Sequence, residues 1–155
     1  LDGELEGALY PETLPCISDR SPKVAPLFAN PKEAEIDYYK KSGIFPIMHT
    51  VVIKNEILEQ SPWAAVSILQ AFQQAKEICY RNMKDPRNFA LVWVKELMQE
   101  QESIFGDPWP YNIEDNRKAL EAVVRYEYDQ GMIKKKPKIE ELFFPASLQE
   151  IQHYL

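Results

Sequence analysis

Ser42-Gly43-Ile44-Phe45-Pro46-Ile47-Met48-His49-Thr50-Val51-Val52-Ile53 is the stretch whose reading decides the fold. It reads as one long strand, with Pro46 marking its start or an edge position because proline cannot donate to a ladder. On an extended chain Ile47, His49, Val51 and Ile53 share one face, and Met48, Thr50 and Val52 share the other. The chain has only two histidines. An imidazole among apolar residues needs a reason: it is a core histidine with a satisfied hydrogen bond, or it belongs to a site.

Upstream, residues 5–10 (LEGALY) read as a second, short strand stopped by Pro11. Residues 11–31 have no periodicity and are rich in proline and polar residues, which suits a loop. The spacing then predicts a helix over 31–41, with Pro31 in its first turn and Gly43 beyond its last. From Asn55 the chain reads almost wholly helical. Ser61-Pro62 is a helix start, and Ala65, Leu69, Phe72, Ala75, Cys79 and Met83 recur at spacings of three and four. Asp85-Pro86 breaks that pattern. A second helix is expected over 88–105, with Leu91, Val94, Met98 and Phe105 near one face. It is stopped by Gly106-Asp107-Pro108. A third begins near Asn112, a capping residue, with Glu114 and Asp115 at the positive end of the dipole. Its apolar set is Leu120, Val123, Val124 and Tyr128, and Gly131 supplies the stop. The basic run 134–138 reads as a solvated loop, followed by short helical pieces over 139–144 and 146–155.

Two strands do not make an independently stable sheet, and an apolar strand left alone exposes unpaired edges. The expectation is therefore an α/β fold, mostly helical with two strands, whose remaining strands lie outside this sequence. The chain then reads as the C-terminal portion of a larger α/β protein, with a partner chain or second protomer as the alternative source of strands.

The bulk numbers limit the partners. With 24 acidic against 18 basic residues the formal charge is −6, which argues against nucleic acid or an anionic membrane as the main partner. No apolar run reaches the ~20 residues that span a bilayer. Cys16 and Cys79 match no metal-ligand spacing, and Cys79 reads as a small buried apolar residue. Glu33, Glu35 and Asp37 have no histidine or cysteine at ligand spacing and read as a solvated helix face. No metal and no cofactor is expected.

Several blocks occur together in one order. They are Gly43-Ile44-Phe45-Pro46-Ile47-Met48-His49, Pro62-Trp63 with Ala71-Phe72 and Ala75-Lys76, Trp109-Pro110-Tyr111 with Asn116-Arg117, Arg125-Tyr126 with Gln130-Gly131, and Glu141-Leu142-Phe143 with Pro145 and Leu148. With the opening Gly3-Glu4-Leu5-Glu6-Gly7-Ala8-Leu9, they resemble the 4,5-dihydroxyphthalate decarboxylase family. Glu6-Gly7 departs from the lone aspartate of that pattern, and residues 20–28 fit it loosely. The resemblance implies a type-2 periplasmic-binding-protein-like fold with ligand held between two lobes. Residues 1–43 would be the end of the second lobe with a connecting loop and helix. Residues 44–155 would be the return strand and closing helices of the first lobe, incomplete without an N-terminal half. It also implies a cytoplasmic carboxy-lyase that removes CO2 non-oxidatively from 4,5-dihydroxyphthalate or a related aromatic carboxylate. The same fold serves non-catalytic solute-binding proteins of ABC transporters, periplasmic where the full-length chain has a leader.

Such a reaction needs a proton donor at the ring carbon that bears the departing carboxylate, and a donor-rich clamp for the retained one. His49 is the candidate catalytic residue, since imidazole ordinarily titrates at ~6.5 and works in either direction near neutrality. A return strand places His49 or Thr50 at the cleft. Tyr10 and Glu12 follow the first strand, where open α/β sheets present ligand contacts. Arg20 is the one arginine of the long loop and suits a bidentate carboxylate clamp. Arg117 and Arg125 read as structural ion-pair partners of acids such as Glu121 and Glu114. Trp109-Pro110-Tyr111 reads as an aromatic anchor that holds a loop. His153, beside the C-terminus, reads as solvent-exposed.

Overall fold

A computed structural model describes residues 3, 6–10 and 12–145. The expected 146–155 helix, His153, Leu148 and part of the expected 5–10 strand lie outside the described residues. The described chain divides into two compact units, Leu1–Lys41 and Ser42–Leu155.

The first unit holds α1 (Pro15–Ser18) and most of α2 (Pro31–Ser42). Pro15 opens α1 in its first turn, where its missing N–H is no loss. The chain leaves α1 through Arg20, whose φ of 52° is left-handed. The Arg20 N–H donates to the Ile17 carbonyl (3.0 Å), and the Ser21 N–H donates to that of Cys16 (3.0 Å). This is a Schellman ending with arginine where glycine is the ordinary choice. Helix α2 starts at the expected Pro31 and ends on Ser42, with Gly43 beyond it at φ 64°.

The second unit is built from α3 (Asn55–Gln60), α4 (Trp63–Met83), α5 (Val94–Phe105) and α6 (Ile113–Asp129), with 3₁₀ turns at Pro86–Asn88 and Ile139–Leu142. Helix α4 packs on α3, on α5 and on the first 3₁₀ turn, and α6 packs on the second. The Asn112 side chain accepts the Asp115 N–H (2.7 Å), the N-cap that opens α6. Gly131, at φ 74°, closes the helix in a second Schellman motif, with its N–H on Tyr128 and that of Met132 on Glu127. Helix α4 ends on Met83 as expected.

Helix α5 starts later than its apolar spacing suggests. Asp85 accepts the Arg87 N–H (3.0 Å) and grips the same guanidinium at 2.7 Å, which turns Pro86–Asn88 into a 3₁₀ turn. Residues 89–93 then run without helix, and Leu91 and Trp93 are exposed.

The α/β expectation is overturned. Among the described residues there is no strand, neither at 6–10 nor at 44–53. A strand exists only when a neighbour accepts and donates along a ladder, and no ladder forms on 44–53 among the described residues. The β-branched composition of that segment is a preference for a pleated, half-covered surface and does not create the surface. The chain is helical.

The core is small. Ala65, Val94, Leu120, Ala122 and Ile139 are the buried apolar side chains among the described residues. Several positions expected in it are exposed, among them Phe72, Val123 and Tyr128. Cys79 is exposed too, with its sulfur 3.9 Å from that of Met83, contrary to the buried position expected for it. Correct helical periodicity has produced the helices without covering all of their apolar faces.

Candidate functional site

The segment that carries His49 is tied down at its start and open afterwards. A Cβ on Gly43 would meet the Lys118 ammonium of α6 at 3.0 Å. The Ile44 N–H donates to the Ser42 hydroxyl (3.1 Å). Phe45 sets its ring edge-on to Phe105, with centroids 5.2 Å apart, and to Trp109 at 6.1 Å. These are favourable edge-to-face pairs. Beyond Phe45 the chain is exposed from Pro46 to Val52, with Met48 at 76% and Val52 at 88%. His49 and Thr50 lie in this open part, adjacent in sequence and both solvent-accessible.

Trp109, one of the two rings Phe45 meets, is held through its backbone by a polar cluster of the second unit. Lys76 of α4 donates to Asp107 Oδ2 at 2.6 Å and to the Trp109 carbonyl at 2.9 Å. Its side chain is only 9% exposed. Its ammonium stands 4.6 Å from the centroid of the Tyr111 ring, a cation–π contact. The other Asp107 oxygen accepts the Tyr80 hydroxyl (2.8 Å) and the Trp109 N–H (3.0 Å). Asn116 of α6 donates to the carbonyls of Pro110 (2.6 Å) and Asn112 (2.8 Å). The loop 106–112 is thereby fastened to both α4 and α6.

The electrostatics follow from these contacts. Desolvation is the largest influence on Asp107 and pushes its acidity down. The bonds from Lys76, Tyr80 and the Trp109 N–H together outweigh it, so the carboxyl sits below its usual range. Tyr80 is pushed well above the usual phenol range, first by burial and then by its bond to the Asp107 carboxylate. At neutral pH the set therefore holds a carboxylate at Asp107 and a protonated phenol at Tyr80. Its donors and acceptors are matched to one another, so it is a positioning knot, and it holds the aromatic seat of the His49 segment.

The sequence candidates are distributed over both units. Tyr10, Glu12 and Arg20 lie in Leu1–Lys41 and are all exposed. No hydrogen bond or ion pair among the described residues joins any two of the three. His49 and Thr50 lie in the second unit. Arg117 is ion-paired as expected, at 3.9 Å from Glu114 and 4.0 Å from Glu121. Its shortest partner is Glu140, at 2.8 Å. Arg125 makes no ion pair among the described residues, and its guanidinium lies 5.0 Å from the Tyr126 ring centroid. Glu33, Glu35 and Asp37 are exposed on α2, and no group of three or more potential metal ligands occurs among the described residues.

The Lys76–Tyr80–Asp107 knot was not visible in the sequence. Lys76 and Tyr80 are one helical turn apart, so a shared partner was available to them. Asp107 lies 31 and 27 residues further along, and no local pattern announces that pairing.

No family model matches the chain, and no solved structure matches it. A curated relative does: the 4,5-dihydroxyphthalate decarboxylase of Comamonas testosteroni is 27% identical over 154 residues, 97% of this chain. The chain spans 47% of that protein's length. It is thus distantly similar, along almost its whole extent, to about half of a decarboxylase.

Proposed function

We propose that this chain takes part in the non-oxidative decarboxylation of 4,5-dihydroxyphthalate or a related aromatic carboxylate. The observation that carries the reading is the similarity to the Comamonas testosteroni decarboxylase, continuous over 154 residues. The accessibility of His49 beyond the Phe45 anchor supports its part in it.

In this reading the His49 imidazolium delivers a proton to the ring carbon that bears the departing carboxylate. The hydroxyl para to that carbon supplies electron density. The carbon–carbon bond then breaks, its electron pair returns to the ring, and CO2 leaves. Thr50, the neighbour of His49, contacts the ligand. A cleft has two walls, and here a further polypeptide supplies the second, covering the exposed stretch around His49.

The test is to incubate the full-length protein with 4,5-dihydroxyphthalate and follow CO2 release, then to repeat with His49→Ala and His49→Gln. The expected result is turnover by the wild type and a loss of at least a hundredfold in both variants. Binding without turnover would identify a solute-binding protein instead. Undiminished turnover in the variants would remove His49 from the chemistry.

A further inference from the structure

Trp109 is fixed more firmly than a loop residue needs to be. It lies between Pro108, which is buried, and Pro110. The proline after it confines its backbone to the extended region. Its N–H donates to Asp107 Oδ1 at 3.0 Å, and its carbonyl accepts from Lys76 Nζ at 2.9 Å. Those two partners are themselves paired at 2.6 Å. Both backbone polar groups of one residue are therefore held by the two halves of one ion pair. The ring so placed is 45% exposed, so the fastening does not serve to bury it. What the ring meets is Phe45, edge-on at 6.1 Å.

Phe45 is one end of a suspended stretch. The other end is Lys54, whose carbonyl accepts the Ile57 and Leu58 N–H groups at 3.0 and 3.3 Å to open α3. Between these points no hydrogen bond holds residues 46–53 among the described residues, and 46–52 are exposed. His49 stands near the middle of this span. With nothing fastening it in between, the placement of its imidazole is set by the two ends.

We propose that Phe45, Trp109 and the Lys76–Asp107 pair are positioning residues for His49, acting in series. The pair fixes the Trp109 backbone, the Trp109 ring seats Phe45, and Phe45 sets where the span that carries His49 begins. The inference rests on the reading of His49 as proton donor and deepens it. These residues act on His49 and not on the substrate. A misplacement of ~1 Å at a reacting group can cost about a hundredfold in rate. A proton donor that acts only in the transition state shows its misplacement in kcat rather than in KM.

The test gives the full-length protein 4,5-dihydroxyphthalate and compares Phe45→Ala, Asp107→Asn and the double variant. Phe45→Ala should lower kcat at least tenfold and change KM less than threefold, and Asp107→Asn should do the same. The double variant should lie within threefold of Phe45→Ala alone, because residues in one series are not additive. Phe45→Tyr, which keeps the ring, should recover at least half of kcat. Arg117→Gln breaks a 2.8 Å ion pair elsewhere in the second unit and should keep kcat within twofold. Helix content by circular dichroism should be unchanged in every variant. Where Phe45→Ala loses it, Phe45→Leu takes its place with the same expectation. A second readout does not depend on turnover. With isotope-labelled histidine, the His49 imidazole, assigned by its loss in His49→Gln, should give one sharp NMR signal in the wild type. The signal should broaden or double in Phe45→Ala and Asp107→Asn, and sharpen again in Phe45→Tyr. A wild type that binds without turnover would sink the proton-donor reading, and the imidazole signals would then decide the anchoring by themselves. Imidazole signals alike in the wild type and Phe45→Ala would overturn the proposal. So would multiplied losses in the double variant, a rise in KM as large as the fall in kcat, or an Arg117→Gln loss equal to that of Phe45→Ala.

Discussion

Arg20 and Gly131 occupy the same position of the same helix-ending motif, and they differ in what that position costs. Both have positive φ, 52° and 74°. Glycine adopts it freely, whereas a side chain with a Cβ is disfavoured there by roughly 1–2 kcal/mol. Arg20→Gly is therefore expected to stabilise the chain by about 0.5–1 kcal/mol once the entropy of the added glycine is subtracted. Urea midpoints would show this, and a lowered midpoint would contradict it. Gly131→Ala should cost about 1 kcal/mol.

At the scale of elements, the knot at Lys76, Tyr80 and Asp107 decides whether the His49 segment has a seat. Asp107→Ala removes the acceptor of three hydrogen bonds and leaves a nearly buried ammonium without its carboxylate. The expected cost is about 2 kcal/mol, together with lost packing around Trp109 that intrinsic fluorescence would detect. The acid side follows from the sign of the shift. The Asp107 carboxyl is held below its ordinary 3.8, so its contribution is complete above that pH and fades as pH falls through the folded-state value. The stability gap between the wild type and Asp107→Asn should therefore be largest near neutrality and narrow below about pH 4. An unchanged gap would contradict the assignment. Elements with local causes were legible: the Asn112 cap, the Gly131 stop and the end of α4 each depend on a few neighbouring residues. The start of α5 was not, because the Asp85–Arg87 clamp diverts the chain before the helical pattern takes hold. The knot was not legible either, because its partners meet only after the chain has folded back.

At the scale of the whole molecule, the reading of 44–53 as a strand failed for a physical reason. The 44–53 stretch has the composition of a strand, and the structure leaves it unpaired and exposed. The reason is that composition describes what a segment would pack against, and that surface is absent from the described chain. The same holds for Phe72 and Val123, which have helical spacing and no cover. Exposed apolar side chains clustered at Met48, Val51 and Val52 favour association. The chain alone should run larger than a monomer by light scattering, and Val51→Lys with Val52→Lys should restore a monomer at unchanged helix content. A wild-type monomer would show that nothing covers this segment. The central claim is tested most directly by turnover in heavy water. The full-length protein is given 4,5-dihydroxyphthalate in D2O, and the product is analysed by NMR. Every turnover in D2O leaves one deuterium at the carbon that lost CO2, so labelled protocatechuate counts proton delivery there; with His49 as the donor, the wild type accumulates it and His49→Gln yields essentially none. Labelled product at the wild-type rate from His49→Gln, or no product from the wild type, would contradict the account.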